Sequence, residues 1–307
     1  MPQVSLDQVR GTFKPRDSWW TVLFVDPLAA RLVRVLAPRA WITPTLLTVV
    51  AFVLGLGAAA AFLAARPAWW VAGAVAYYVA FALDCVDGKI ARLRGQGSVL
   101  GTWLDFVLDR VRAFLCTSAL FAGAYLQAGD DRFLFAAVGV VFLALIGYVN
   151  GAEVDKALRS AGAAPVASDR ADRSGAPVLP TAVVRFRDAL HRRRIRMNLV
   201  SGIEFETALF VVAPLAAAVA GTGAILVVTA VAAGLLVAFE LALIARFVAT
   251  AVALDRRRAQ GRLPTPRATT SAHDTGRSAH AAGAGGSGPT RTPGGRGDET
   301  GVHPRQR

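Results

Sequence analysis

Four carboxylates at fixed spacing form the group in this chain best suited to chemistry. Asp84 and Asp87 lie in the run Leu83-Asp84-Cys85-Val86-Asp87-Gly88-Lys89-Ile90-Ala91-Arg92, and Asp105 and Asp109 lie in Gly101-Thr102-Trp103-Leu104-Asp105-Phe106-Val107-Leu108-Asp109. Residues three and four apart share one face of a helix, so each pair projects from one side of its helix and the two faces can meet. Hard carboxylate oxygens without His or Cys partners favour Mg²⁺ or Mn²⁺ over zinc. His191, His273, His280 and His303 all fall in expected loop or tail, which argues against imidazole ligation and against a Ser-His nucleophile. Divalent ions held this way suit a pyrophosphate-bearing substrate, because the metal neutralises phosphate charge and stabilises the leaving group. A carboxylate not fully committed to metal can take a proton from an attacking hydroxyl.

Small and basic residues accompany the acids. Gly88, Ala91 and Gly101 share their faces and would let a planar base or a ribose approach the backbone, while Arg92 can pair with phosphate oxygens. Close helix packing is the other account of the three small residues.

The elements that carry these residues are apolar. Of the 307 residues 54% are hydrophobic, mean hydropathy is +0.45, and the apolar residues come in blocks near the ~20-residue length that crosses a hydrocarbon core. Six blocks qualify, at about 43 to 65, 68 to 86, 100 to 127, 133 to 152, 203 to 221 and 223 to 247. The expected fold is an all-α integral membrane protein with six transmembrane helices and an N-terminal interfacial helix. An ionisable group at membrane depth costs about 2.5–3.5 kcal/mol on insertion scales, so acids clustered at consecutive span ends need interfacial exposure and bound cations to offset them.

Charge follows the same plan. The net charge is +13, carried almost entirely by Arg, with Lys only at positions 14, 89 and 156. Basic residues collect between apolar blocks, where a membrane protein keeps its cytoplasmic charge, rather than on a nucleic-acid-binding patch, so no nucleic-acid partner is expected. Turns at Ala65 to Pro67, Ala128 to Arg132 and Gly221 to Gly223 then face outward, with both termini in the cytoplasm. Cys85 and Cys116 give neither a disulfide framework nor a zinc spacing, and Lys14, Arg16, Asp17 and Asp26 interrupt any secretory signal.

Three regions flank or interrupt the spans. Residues 1–42 read as a cytoplasmic arm, in which Asp26-Pro27 starts a helix with the acid at its cap. Leu28, Leu32, Val35 and Leu36 share a face beside Arg31 and Arg34, as in a helix lying on anionic membrane lipids or in a plain lead-in to the first span. Trp19, Trp20, Trp41, Trp69 and Trp70 fit interfacial anchors. The catalytic domain is placed at 43–253. Within it, residues 153–198 hold ten Lys or Arg against five acids, a basic cytoplasmic loop that sets topology, attracts headgroups or receives an anionic substrate. Residues 254–307, rich in Gly, Pro, Arg, Ser and Thr, read as a disordered basic cytoplasmic tail. Glu204, Glu206, Glu240 and Arg246 lie in or beside the last two spans, where pairing within the bundle and function are both open. Arg110 and Arg112 either balance the acidic cluster or touch an acceptor phosphate.

The pattern Asp-x2-Asp-Gly-x2-Ala-Arg-x8-Gly-x3-Asp-x3-Asp, complete from Asp84 to Asp109, resembles the signature of the CDP-alcohol phosphotransferases (CDP-alcohol phosphatidyltransferases). The six-span layout is similar too, over roughly 43 to 250. The resemblance implies that Asp84, Asp87 and Asp105 hold a pair of Mg²⁺ or Mn²⁺ ions, with Asp109 completing the second site and acting as general base. It also implies that Gly88, Ala91, Arg92 and Gly101 shape the cytidine and phosphate pocket. Thr43-Pro44-Thr45-Leu46-Leu47-Thr48 looks like the family's first-span opening, with Thr45 where Asn is usual. The implied reaction moves a phosphatidyl-type group from a CDP-linked donor, CDP-diacylglycerol foremost, to a small or lipid alcohol acceptor and releases CMP. A homodimer and a multi-pass setting in a bacterial plasma membrane, with a cytoplasmic active site, go with it. Two rivals stand beside this reading: a membrane prenyltransferase, which would need a second aspartate motif after Asp109, and a non-catalytic metal-binding scaffold or transporter.

Overall fold

The computed structural model describes residues 5–160, 181–196 and 199–260. It is mostly helical, with no strand among the described residues. In chain order come α1 (Leu6–Gly11), α2 (Asp26–Leu36), α3 (Pro44–Ala64), α4 (Pro67–Arg94), α5 (Val99–Ala128), α6 (Arg132–Ser160), α7 (Thr181–Arg192), α8 (Gly202–Thr207), α9 (Ala213–Ala220) and α10 (Gly223–Ala259). Two π-helical stretches, Thr21–Val25 and Ala208–Val212, lead into α2 and α9. Each ends two residues before a proline, Pro27 and Pro214. Proline has no N–H to offer the preceding turn, and a wider turn absorbs the mismatch without ending the helix.

The helix ends follow from local chemistry. Thr43 caps α3 by accepting from the Leu46 N–H, with Pro44 in the first turn, and Ser98 caps α5 by accepting from the Gly101 N–H. Gly95 and Gly129 close α4 and α5 with φ of 64° and 67°, a left-handed conformation that glycine adopts without steric cost.

Five stretches are long and apolar enough to cross a membrane: Pro44–Ala64, Pro67–Arg94, Arg132–Ser160, Gly202–Ala220 and Gly223–Arg256. This is the architecture of a multi-pass membrane protein. The remaining expected span falls on α5, which is 30 residues long, but Asp105, Asp109, Arg110 and Arg112 in its first half lower its apolarity.

Aromatic side chains and small residues fix how these helices meet. Phe62, Trp70, Tyr77, Phe121, Phe133 and Phe210 belong to one buried cluster. Phe62 fits because Gly73 and Gly123 lack side chains: a Cβ on Gly73 would stand 2.5 Å from the Phe62 ring, and one on Gly123 would stand 2.5 Å from the Phe62 carbonyl oxygen. Glycine thus lets α3 approach α4 and α5 closely, as helices in lipid commonly do. Large apolar side chains such as Val53, Phe135, Val138, Phe142 and Val227 point outward.

The arm folds differently from the expected capped helix. Asp26 makes no capping hydrogen bond, because α2 continues out of the π turn. Its carboxylate instead pairs with Lys89 Nζ at 3.2 Å and Arg194 Nη1 at 3.2 Å. Of the expected apolar face, Val35 is exposed, whereas Ala29 and Val33, which lie outside that expected set, are fully buried. With Leu28, Leu32 and Leu36 beside them, they pack in one cluster with Ala82, Val86 and Ile90 of α4.

The basic loop contains the end of α6 and all of α7, and Ile195 bridges to Asp17 of the arm. Residues 161–180 of that loop, residues 197–198 and the tail from 261 onward lie outside the described residues. Helix α10 continues to Ala259, beyond Leu254 where the tail was expected to begin.

Candidate active site

Helices α4 and α5 deliver the four acids to a common place. One oxygen from each of Asp84, Asp105 and Asp109 lies within 4.8 Å of the others. Ligands on one Mg²⁺ at about 2.1 Å stand no more than about 4.2 Å apart, so a small closing of the three side chains would put them on a single ion. Asp105 Oδ1 is buried without a hydrogen-bond partner among the described residues. An all-oxygen donor set with an orphaned buried oxygen fits a hard divalent cation.

Asp87 stands apart from this trio. It is 5% exposed, and its Oδ2 accepts a hydrogen bond from Thr48 Oγ1 at 2.5 Å. Thr48 belongs to α3, so the helix that contributes no acid still orients one.

Two cavities meet at the acids. The larger, about 480 Å³, is bordered by all four acids together with Gly88, Arg92, Lys14, Arg110 and Arg196. The smaller, about 110 Å³, is bordered by Thr45, Thr48, Asp87, Gly88, Ala91, Gly101 and Asp105. Asp87, Gly88 and Asp105 line both. The smaller volume lies below the roughly 300–1,000 Å³ of small-molecule pockets, so alone it takes a fragment such as a base or a sugar.

The residues expected to shape a nucleotide pocket therefore divide. Gly88, Ala91 and Gly101 line the small cavity, and Arg92 faces the large one. Arg92 Nε donates to the Thr12 carbonyl at 2.8 Å, which ties the motif to the arm. Thr45 lines the small cavity from α3.

Several participants are not apparent from the motif alone. Lys89, inside it, is buried and held by Asp26 and by the Cys85 carbonyl at 3.2 Å. Lys14, Asp17, Thr21 and Asp26 of the arm wall the large cavity. Arg94 secures the arm by donating to the carbonyls of Ile42, Ala37 and Arg39 at 2.7, 2.7 and 2.8 Å. Glu206 accepts from Tyr77 Oη at 3.0 Å and pairs with Arg110 at 3.3 Å. Arg110 in turn sits 4.3 Å from the Tyr148 ring centre. Of the other late acids, Glu204 caps α8 through Ser201, and Glu240 accepts from Asn150 at 3.4 Å. The only prior sign of these contacts is charge in apolar surroundings, which raises the question of a partner without naming one.

A third cavity, about 470 Å³ and mostly apolar, adjoins the large one along Arg110, Tyr148, Gly202 and Glu206. Phe106, Phe114, Leu145, Phe210 and Leu236 are among its walls.

Residues 41–167 match the CDP-alcohol phosphatidyltransferase family. A bifunctional IPC transferase and DIPP synthase from Thermococcus kodakarensis (strain ATCC BAA-918 / JCM 12380 / KOD1) is 35% identical over 108 residues, which is 35% of this chain and 22% of that protein. The chain thus matches less than a quarter of that relative's length. From residue 41 to residue 167, with all four carboxylates inside the stretch, the chain carries a CDP-alcohol phosphatidyltransferase family domain.

Proposed function

We propose that the protein transfers a phosphatidyl-type group from a CDP-linked donor, CDP-diacylglycerol foremost, to an alcohol acceptor with release of CMP. The observation that carries the reading is the convergence of Asp84, Asp105 and Asp109 oxygens within 4.8 Å at the wall of a polar cavity, inside the segment that matches the family.

Two Mg²⁺ or Mn²⁺ ions held by Asp84, Asp87, Asp105 and Asp109 would neutralise the diphosphate and stabilise the departing CMP. Gly88, Ala91 and Gly101 leave room for the base and ribose in the small cavity. Arg92, at the boundary between motif and arm, faces phosphate oxygens. Asp109 takes the proton of the acceptor hydroxyl as its oxygen attacks the β-phosphate and the bond to CMP breaks. Lys14, Arg110 and Arg196 suit an acceptor that bears its own phosphate. The apolar cavity beside Glu206 takes an acyl chain, so the lipid reaches the acids sideways from the bilayer.

The same proposal includes the finer organisation. Helix α5 serves as a sixth span, its charged first half at the cytoplasmic interface. Residues 1–42 form the arm, in which α2 rests on α4 and turns Arg31 and Arg34 toward anionic headgroups. Residues 43–253 form the catalytic domain and 254–307 a cytoplasmic tail. The setting is a bacterial plasma membrane, with the site and both termini on the cytoplasmic side. A homodimer would pack through α6, the least buried of the five spans.

The test is CMP release by purified protein from CDP-diacylglycerol across a panel of alcohols, with Mg²⁺, Mn²⁺ or a chelator present. CMP formation that needs both an acceptor and a divalent ion is the expected result. Failure to release CMP with any CDP-linked donor would leave the metal-binding scaffold reading in its place.

A further inference from the structure

Arg112 lies one helical turn beyond Asp109 on α5, with 3% of its side chain exposed. Its Nη2 stands 2.7 Å from Asp109 Oδ1 and its Nη1 stands 3.6 Å from Asp84 Oδ1. One guanidinium therefore joins two of the three converging carboxylates, and it joins them across two helices. The stem reaches this place through a gap in α3: a Cβ on Gly55 would stand 2.4 Å from Arg112 Cδ and 2.6 Å from Cγ. Any side chain at position 55 would force the Arg112 stem to move. Arg112 Nε is buried without an acceptor among the described residues, and the Tyr77 ring centre lies 5.7 Å from the guanidinium carbon. A guanidinium keeps its proton in proteins, and a buried charge persists only when it is paired. The acids pair it.

We propose that Arg112 is a positioning residue, a resident cation that holds Asp84 and Asp109 at ligating distance before a divalent ion arrives and against which that ion then binds. The inference rests on the reading of these acids as metal ligands. Without an ion, three clustered carboxylates repel one another, and the guanidinium offsets that repulsion. With an ion bound, a charge of about +2 shares the same oxygens with a charge of +1 a few ångströms away. In a weakly polar interior this repulsion outweighs the entropy of fixing two short carboxylate side chains. Arg112 consequently stabilises the ion-free protein more than the loaded one. By reciprocity of coupled equilibria it weakens ion binding by the same factor.

The experiment uses the purified full-length protein and Mn²⁺ as the probe. Affinity is read from the paramagnetic resonance signal of free Mn²⁺, and melting is followed with and without saturating Mn²⁺. Arg112→Gln is expected to bind Mn²⁺ at least tenfold more tightly than the parent. It should melt below the parent without metal, and the gap should narrow when Mn²⁺ saturates. Arg112→Lys, which keeps the charge, should stay within threefold of the parent's affinity. Gly55→Ala, which displaces the stem, should shift affinity in the same direction as Arg112→Gln and decides the matter if Arg112→Gln folds under neither condition. An Arg112→Gln variant that folds only with Mn²⁺ also supports the proposal. A melting gap of equal size with and without Mn²⁺, unchanged or weaker binding by Arg112→Gln, or unchanged binding by Gly55→Ala overturns it, because the arginine then merely packs. In that case CMP release by the parent leaves the transferase reading standing, whereas a parent that binds no Mn²⁺ and releases no CMP removes both.

Discussion

Thr48 donates its hydroxyl to Asp87 Oδ2 at 2.5 Å, so the acid that stands outside the three-carboxylate group is held by α3. A hydrogen bond to a charged group contributes about 1.5–3 kcal/mol. Thr48→Val should therefore lower kcat/KM for the CDP-linked donor by about tenfold or more. Thr48→Ser should recover most of the loss, and a Thr48→Val enzyme with parental kcat/KM would show that Asp87 needs no such support.

Asp109 belongs to the carboxylate group and also pairs with Arg112 at 2.7 Å. General-base catalysis contributes about 10²–10⁴-fold, so Asp109→Asn should lower CMP release by at least about 100-fold. Binding of the CDP donor, followed by equilibrium titration, should be largely retained. A fully active variant would remove Asp109 as the base.

Gly88 and Gly101 line the same small cavity but differ in what a methyl group would meet. A Cβ on Gly88 stands 3.4 Å from the nearest Arg92 nitrogen, ordinary contact, whereas one on Gly101 stands 2.8 Å from Ser98 Oγ, the cap of α5. Gly88→Ala is expected to raise KM for the donor with little change in melting temperature. Gly101→Ala should also cost about 1 kcal/mol of stability by disturbing the cap. Equal melting losses in the two variants would contradict this division.

Asp26 and Lys89 form an ion pair whose side chains are 8% and 6% exposed. Breaking such a pair from one side costs about 3–5 kcal/mol, because the other charge is left buried. Asp26→Ala should destabilise the protein by about that amount and make the arm sensitive to limited proteolysis. Combining Asp26→Leu with Lys89→Met should cost less than Asp26→Ala alone, and a larger loss in the double variant would contradict the pairing argument.

The motif made the acid group legible because its information is local. Three- and four-residue spacings put each acid pair on one helix face, the small residues Gly88, Ala91 and Gly101 line the cavity beside them, and all of this survives in one dimension. The long apolar blocks were legible for the same reason, since crossing a bilayer is a property of a single helix. Cap residues such as Thr43 and Ser98 act within one turn. The expected acidic cap at Asp26 differs from what forms because its carboxylate answers to Lys89 and Arg194, residues 63 and 168 positions away.

Amino-acid order alone determined that this chain crosses a membrane several times and carries four carboxylates in helical register beside a basic, small-residue stretch. Only the tertiary structure decided that Asp84, Asp105 and Asp109 converge while Thr48 holds Asp87, that Arg112 threads past Gly55 to join two of the acids, and that the arm closes one wall of the cavity. The physical reason is reach. Backbone periodicity sets which side chains share a face, but which faces meet depends on where glycine lets helices approach and on which buried charges find a partner, and those terms connect residues far apart in the chain.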